Sequence, residues 1–327
     1  MRGRLLQAPP NLPCWYFDSD KINDMETDMA TEALDIEETV RTVQANLNYL
    51  LPGTDINRRF VSAGVEVNTG RYGPFPMTIR DGRDIRDRFT LDTHGFRLLD
   101  APTMIRDFHD KAEVEAHYQA EVLDYVKAAY GADFVVPMGW MLRTSGDIPA
   151  APKSDEPYRH YGGVQPAAGE VHVDTEPSRQ PAAAQRAYER ARPDGPGFKR
   201  FVISSFWRTF SPPPQNCPLA VCDARTVRDD EGTPNVLWVV DKIPEGDAML
   251  APMDDDNQLA AAIFRHNPDH RWWYFSQMTR DEALLFKFHD SDRSRPWRCP
   301  HTAFWDDSLP GANVRESIEF RSIAFFE

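Results

Sequence analysis

Gly169-Glu170-Val171-His172-Val173-Asp174-Thr175-Glu176 is the stretch on which the fold turns. Polar and apolar residues alternate along it. In an extended strand successive side chains point to opposite faces. His172 and Asp174 therefore share one face, and Val171 and Val173 the other. An imidazole and a carboxylate side by side on a strand are two of the three ligands of a facial triad, the donor set of non-haem Fe(II). An H-x-D triplet alone arises by chance in many chains. Its meaning depends on the strands around it and on a third ligand downstream.

Downstream the pattern is one of short strands. The runs are Phe201 to Phe210, Leu219 to Val227, Val236 to Val240, Trp272 to Phe275, Ala283 to Phe288 and Ser317 to Phe326, with turn residues between them. Such spacing predicts a sandwich or barrel. We expect an α+β chain, mainly β, built on a double-stranded β-helix (a jelly roll, cupin-like) with flanking helices. No G-x-G-x-x-G or G-K-[ST] loop is present, so dinucleotide and P-loop folds lack their phosphate cradle.

Upstream, residues 1 to about 30 read as an extended arm. Ile36, Val40, Val43, Leu47 and Leu50 recur at helical spacing between Asp35 and Pro52, which predicts a helix. Val61 to Val67 and Phe89 to Leu91 read as short strands, and Thr93-His94-Gly95-Phe96 as a turn into another. A second helix is expected from about Asp110 to Tyr130, with Gly131 as its stop. Phe134 to Leu142 is strand-like. Residues 149–168 form a loop entering the His172 strand, and Pro181 to Arg192 a short polar helix beyond it. That helix and its loop form either a lid over the metal strand or a plain surface excursion. The expected organisation is one catalytic domain over 1–327. Residues 1–90 form an N-terminal arm, helix and strands packed on the core. Residues 91–327 form the jelly-roll oxygenase core, with a lid-like insertion at about 177–198.

Composition narrows the partners. The formal net charge is -14 and no Lys/Arg-rich run stands out, which argues against nucleic acid. No run approaches the ~18 apolar residues of a membrane span. Met1 to Pro13 has no apolar core of the signal-peptide kind, so a cytoplasmic protein is expected. Cys14, Cys217, Cys222 and Cys299 are too few and too scattered for a disulfide framework. A zinc site from Cys217, Cys222, Cys299 and His301 fits no standard spacing. The expected partner is a small-molecule substrate, with neither nucleic acid nor membrane; a homodimer stays open.

In a jelly roll the second histidine of the triad lies late, on a strand facing the first. His301, in Cys299-Pro300-His301-Thr302-Ala303-Phe304, fits that place. His289, in Lys287-Phe288-His289-Asp290, and His270 are its rivals. The separation of His172 and His301 is 129 residues (301 minus 172), long for the fold. The lid-like segment and the loop from Pro244 to Asn267 account for the excess. Beyond His301, Arg315-Glu316-Ser317-Ile318-Glu319-Phe320-Arg321 alternates strictly. Arg315, Ser317, Glu319 and Arg321 share one face. A guanidinium and a hydroxyl in R-x-S suit a carboxylate. If that face lines the barrel, it supplies the positive charge an acidic protein needs to hold 2-oxoglutarate, with Arg321 in reserve. The alternative is a solvated polar face. Trp207, Trp272, Trp273, Tyr274 and Phe275 either wall a substrate pocket or are ordinary core. Arg208 and Arg143 are candidate substrate anchors or structural ion-pair residues.

The residues resemble a known family, the gibberellin desaturase-like or cephem hydroxylase/methoxylase-like proteins. The resemblance runs from Leu91 onward. It rests on Leu91-Asp92-Thr93-His94-Gly95-Phe96, Val171-His172-Val173-Asp174, Phe206-Trp207-Arg208 and Pro218-Leu219-Ala220-Val221-Cys222-Asp223-Ala224-Arg225. It continues in His270-Arg271-Trp272-Trp273-Tyr274-Phe275, Asp281-Glu282-Ala283-Leu284-Leu285-Phe286-Lys287, Pro300-His301-Thr302-Ala303-Phe304 and the Arg315 to Arg321 run. It implies a non-haem iron, 2-oxoglutarate-dependent oxygenase that uses O2 to hydroxylate, desaturate or cyclise a small molecule in natural-product biosynthesis. His172, Asp174 and His301 would ligate iron, and Arg315 with Ser317 would hold the distal carboxylate of 2-oxoglutarate. Family members often carry Asn before the aromatic-Trp-Arg run; Ser205 stands there in this chain. Two alternatives are a 2-oxoglutarate-independent iron oxidase and a non-catalytic cupin-like binding protein.

Overall fold

The first strand settles the N-terminal reading. Thr42–Leu50 is extended, and it pairs antiparallel with Tyr72–Asp81 through nine opposed residues. Val43, Leu47 and Tyr49 face inward while Thr42, Gln44, Asn46 and Asn48 are exposed. The expected helix is thus a strand. Val43 and Leu47 lie four apart, a spacing that both periods satisfy, and the longer ladder decides between them. The computed structural model describes residues 39–53, 55–62, 65–147 and 164–327. The expected arm over 1–30 and most of the 149–168 loop lie outside them.

In chain order the strands are β1 (Thr42–Leu50), β2 (Arg58–Ser62), β3 (Val65–Asn68), β4 (Tyr72–Asp81) and β5 (Phe96–Asp100). Then come Lys111–Glu113, Val114–Tyr118 and Gln119–Tyr130, which run on as one helix, α1, with a π turn in the middle segment. Next are β6 (Phe134–Thr144), β7 (Val164–Pro166), β8 (His172–Val173), α2 (Gln180–Ala191), β9 (Arg200–Thr209), β10 (Leu219–Cys222), β11 (Thr233–Val239) and β12 (Leu259–Ile263). The last are β13 (Trp272–Tyr274), β14 (Glu282–Asp290), β15 (His301–Ala303) and β16 (Glu316–Phe326). The expected strand across Val61 to Val67 is the β2–β3 hairpin, and Phe89 to Leu91 is loop rather than strand. Gly95, at φ +82, makes the expected turn into β5.

The chain divides into a short unit, Met1–Val40, and a large one, Arg41–Glu327, which holds all the described strands. Ten strands form one sheet in the order β1-β4-β13-β10-β15-β8-β12-β11-β2-β3. Six form the other, in the order β5-β14-β9-β16-β6-β7. The two inner faces meet, giving the expected jelly roll. The outer face of the six-stranded sheet is covered by α1. Val114, Tyr118, Val122 and Val126 pack on Val202 and Phe206 of β9, Ala283 and Leu285 of β14, and Ile318, Phe320 and Ala324 of β16. Each of the valine, leucine, isoleucine and phenylalanine side chains, fully buried, contributes about 1.5–3 kcal/mol. Asp110 caps α1 by accepting from the Ala112 and Glu113 amides, and Gly131, at φ +63, ends it.

That outer packing determines what faces inward. Residues of β16 and β9 alternate, so Ile318 and Phe320 point to α1 while Ser317, Glu319 and Arg321 point to the other sheet. Trp207 likewise points inward and Arg208 outward. α2 is held by its C-terminal half. Tyr188 packs on Phe134, Phe198 and Phe325, and its hydroxyl donates to Glu327 at 2.8 Å.

Candidate metal centre

Register brings the two histidines together. β8 pairs antiparallel with β15, and His172 stands directly opposite His301. Opposed residues in such a pair project from the same face, and the two imidazole rings are 4.3 Å apart. Asp174, two residues after His172, returns to that face just beyond the end of β8. Its Oδ2 is 3.5 Å from His301 Nε2 and 3.8 Å from His172 Nε2. One donor atom from each of the three lies within 4.8 Å of the others, and among the described residues this is the one cluster of metal-ligating type.

The ring nitrogens are sorted by the backbone. His172 Nδ1–H donates to the Glu170 carbonyl at 2.8 Å, and His301 Nδ1–H to the Cys299 carbonyl at 3.3 Å. Each Nε2 is then the lone-pair nitrogen, aimed at the common point. Burial, and then the neighbouring His301, push His172 below its usual value, so it is neutral at pH 7. Burial works against ionisation of Asp174, yet Arg321, His172 and His301 hold its carboxyl well below the usual range. Asp174 Oδ2 is buried with no hydrogen-bond partner. Two imidazole Nε2 atoms, and an ionised carboxylate with an orphaned oxygen between them, fit a divalent metal. Phe288 stacks on His301 at 13° and fixes its ring.

One cavity beside this cluster is lined by His172 and His301 with Arg143, Trp207, Phe286, Arg315 and Glu319. Arg315 is 1 % exposed, yet its Nε and Nη2 have no hydrogen-bond partner. Its guanidinium carbon lies 5.7 Å from the Trp207 ring centre, and burial brings its pKa down to about 10. A buried cation with two idle donors fits a carboxylate, which supplies both the charge and the paired acceptors. Ser317 is buried on the same strand, its hydroxyl donating to the Arg143 carbonyl at 3.4 Å.

The remaining sequence candidates divide. Arg143 reaches the cavity, where it pairs with Glu319 at 3.3 Å. Trp207 forms part of the wall. Arg321 pairs with Asp174 at 2.9 Å and Glu319 at 2.5 Å, so it braces the ligand instead of waiting as a reserve clamp. Arg208 lies on the helix side of β9, donating to Tyr118 and to the Ala101 and Arg280 carbonyls, and does not meet the cluster. Tyr274 is buried edge-on to Phe304, outside the cavity lining. His289 stacks on Phe201, and His270 is held between Tyr49 and Glu231; neither joins the triad. Cys222 and Cys299 are buried free thiols outside the metal cluster. Glu319 and Phe286 join the cavity lining without being site candidates of the sequence. Glu319 was signalled by sharing the Arg315-to-Arg321 alternation; Phe286 carried no signal beyond its place in an apolar strand.

A histidine-carboxylate facial triad between the sheets of a jelly roll is the donor set of non-haem Fe(II) oxygenases. A family model described as "Oxidoreductase/YMDC permease-like domain" matches residues 47–325, and the chain belongs to that family. Among similar curated proteins is the hydroxylase/desaturase efuI of Hormonema carpetanum, 32% identical over 292 residues, covering 88% of this chain and 96% of the relative. Another is the Fe(II)/2-oxoglutarate-dependent dioxygenase nvfI of Aspergillus novofumigatus, 30% identical over 262 residues (78% of this chain, 84% of the relative). A solved structure of the iron and alpha-ketoglutarate-dependent endoperoxidase NvfI superposes with a TM-score of 0.68 at 25% identity, covering 87% of this chain and 98% of that one. The expected family, fold and cofactor set of Fe(II), 2-oxoglutarate and O2 are thereby borne out. Among the described residues no helix is long and apolar enough to cross a membrane.

Proposed function

We propose that this chain oxidises a small, largely apolar natural product by hydroxylation, desaturation or ring closure, with His172, Asp174 and His301 holding the iron. Bound Fe(II) and 2-oxoglutarate together supply the oxidant that removes a hydrogen atom from an unactivated C–H bond. The observation that carries the reading is Arg315, buried beside the triad with two unpaired donors. It grips the distal carboxylate of 2-oxoglutarate and so points the keto-acid end at the metal. Ser317, next on that face, steadies the same carboxylate once its hydroxyl turns from the Arg143 carbonyl. Trp207 and Phe286 exclude water and offer the substrate an apolar wall. Arg143 is already paired, and it anchors polar groups of the substrate only at the expense of that pair. Buried unpaired Cys217, Cys222 and Cys299 support a reducing, cytoplasmic setting.

The test is anaerobic addition of Fe(II) and then 2-oxoglutarate. A visible charge-transfer band is expected in the native protein. It should vanish in His172→Ala and His301→Ala, persist in His289→Ala, and weaken in Arg315→Ala. With O2 and substrate, succinate forms. Oxygen uptake without succinate would instead mark a 2-oxoglutarate-independent oxidase, and ligand binding without turnover a binding protein.

A further inference from the structure

The two oxygens of Asp174 are treated differently by the protein. Oδ1 accepts from Arg321 Nη2 at 2.9 Å. Oδ2 has no hydrogen-bond partner and faces both Nε2 atoms. Arg321 is itself held. Its Nε donates to Glu319 Oε1 at 2.5 Å, and its guanidinium carbon lies 5.6 Å from the centre of the Phe288 ring, which also stacks on His301. Glu319 is gripped in turn by Arg143 at 3.3 Å, and Arg143 donates a second N–H to the Pro166 carbonyl at 3.0 Å. Asp174 is therefore fixed by a braced chain that reaches the cavity wall.

The consequence concerns coordination number. A carboxylate that turns both oxygens to a metal fills two positions. With two imidazoles that occupies four of six, so a chelating keto acid and a further small molecule, which together need three, must compete with the second carboxylate oxygen, and the keto acid binds more weakly. A carboxylate that offers one oxygen leaves three. We propose that Arg321 is a positioning residue that keeps Asp174 a one-oxygen ligand, and thereby keeps the co-substrate positions open. This rests on the iron and 2-oxoglutarate reading above. An ion pair that merely held the fold together would make a different prediction, because removing it would loosen the triad and weaken metal binding.

The experiment measures Mn(II) and Co(II) affinity in the absence of co-substrate, then 2-oxoglutarate affinity for each metal form. In Arg321→Gln, metal affinity is expected to stay within about twofold or to tighten, since a nearby cation has been removed, while 2-oxoglutarate binds about tenfold or more weakly. The Co(II) visible spectrum before co-substrate should change in Arg321→Gln and not in Arg315→Gln. Arg321→Lys, which restores one donor to Oδ1, should recover part of the 2-oxoglutarate affinity. Glu319→Gln, which leaves Arg321 in place with a weaker brace, should shift the same quantities less and serves where Arg321→Gln does not fold. Metal and 2-oxoglutarate affinities that fall together would overturn the proposal, as would an unchanged Co(II) spectrum with unchanged affinities. A native protein that binds neither metal nor 2-oxoglutarate would instead sink the functional reading.

Discussion

Arg315 and Arg321 lie on one strand face and do opposite things, and the difference comes from what each meets. Arg321 finds two carboxylates within reach; Arg315 finds none and is nonetheless buried. A desolvated guanidinium with idle donors is costly until an anion arrives. Replacing Arg315 with Gln should therefore weaken 2-oxoglutarate by about 2–4 kcal/mol, roughly 30- to 1,000-fold, with metal affinity unchanged. Isothermal titration of the Mn(II) protein reads both. Equal affinity for 2-oxoglutarate in the variant would transfer the clamp to Arg143. A second residue-scale prediction concerns His289. Burial and then Arg293 lower its pKa to about 4, against an unfolded value of about 6.5. Above pH 6.5 neither state is protonated there and the group has no effect. As pH falls through 6.5 the unfolded chain takes up a proton the folded one refuses, and stability drops until about pH 4. Between pH 7.5 and 5.5 the loss is about 1.3 kcal/mol. Denaturant melts at the two pH values should show it, and His289→Phe, which keeps the stack on Phe201, should reduce it. These residue roles were partly legible in the sequence. Strict alternation placed Arg315 and Arg321 on one face, but only the neighbours on facing strands reveal which cation is already paired.

Elements were legible where their period was unambiguous. α1 was foreseeable from Val114, Tyr118, Val122 and Gly131, because a helix of that length outvotes any competing pattern. Its cap gives a clean prediction. Asp110→Ala should cost about 1 kcal/mol, measured by chemical denaturation, and leave the 2-oxoglutarate band untouched, since α1 packs on the outer face of the sheet. A lost band would mean that the helix reaches the site through β16. β1 reads as a helix from its sequence because Val43 and Leu47 fit either period, and what decides is its nine-residue ladder with β4, about thirty positions away. β8 and β15 are too short to announce themselves, at two and three residues. Yet they carry both histidines. Their identity as strands comes from pairing with β12 and β10, which no local pattern contains. The metal motif was thus visible before the elements that position it.

At the scale of the whole molecule, an acidic chain of net charge -14 encloses a cationic pocket. Arg143 and Arg315 line it and Arg321 braces the ligand behind it, with Glu319 and Asp174 as the facing carboxylates. The metal ligands come from the ten-stranded sheet and the braces from the six-stranded one, so a bound metal ties the two layers together through Asp174 and Arg321. Metal binding should then be read in global stability, because the unfolded chain holds no preformed triad. At a free Mn(II) concentration of about 100 times its dissociation constant the gain is about 2.7 kcal/mol. For a unit of this size that raises the melting temperature by roughly 4–5 °C. A chelator should reverse the rise. His172→Ala should abolish it, because one of the three candidate donor atoms is gone. Added 2-oxoglutarate should raise the melting temperature further in the metal form and far less in the metal-free form, since Arg315 alone holds only the distal end. An equal metal-induced rise in His172→Ala would place the metal elsewhere. A large rise from 2-oxoglutarate without metal would mean that the pocket grips both ends of the acid by itself, and that the triad serves some other ligand.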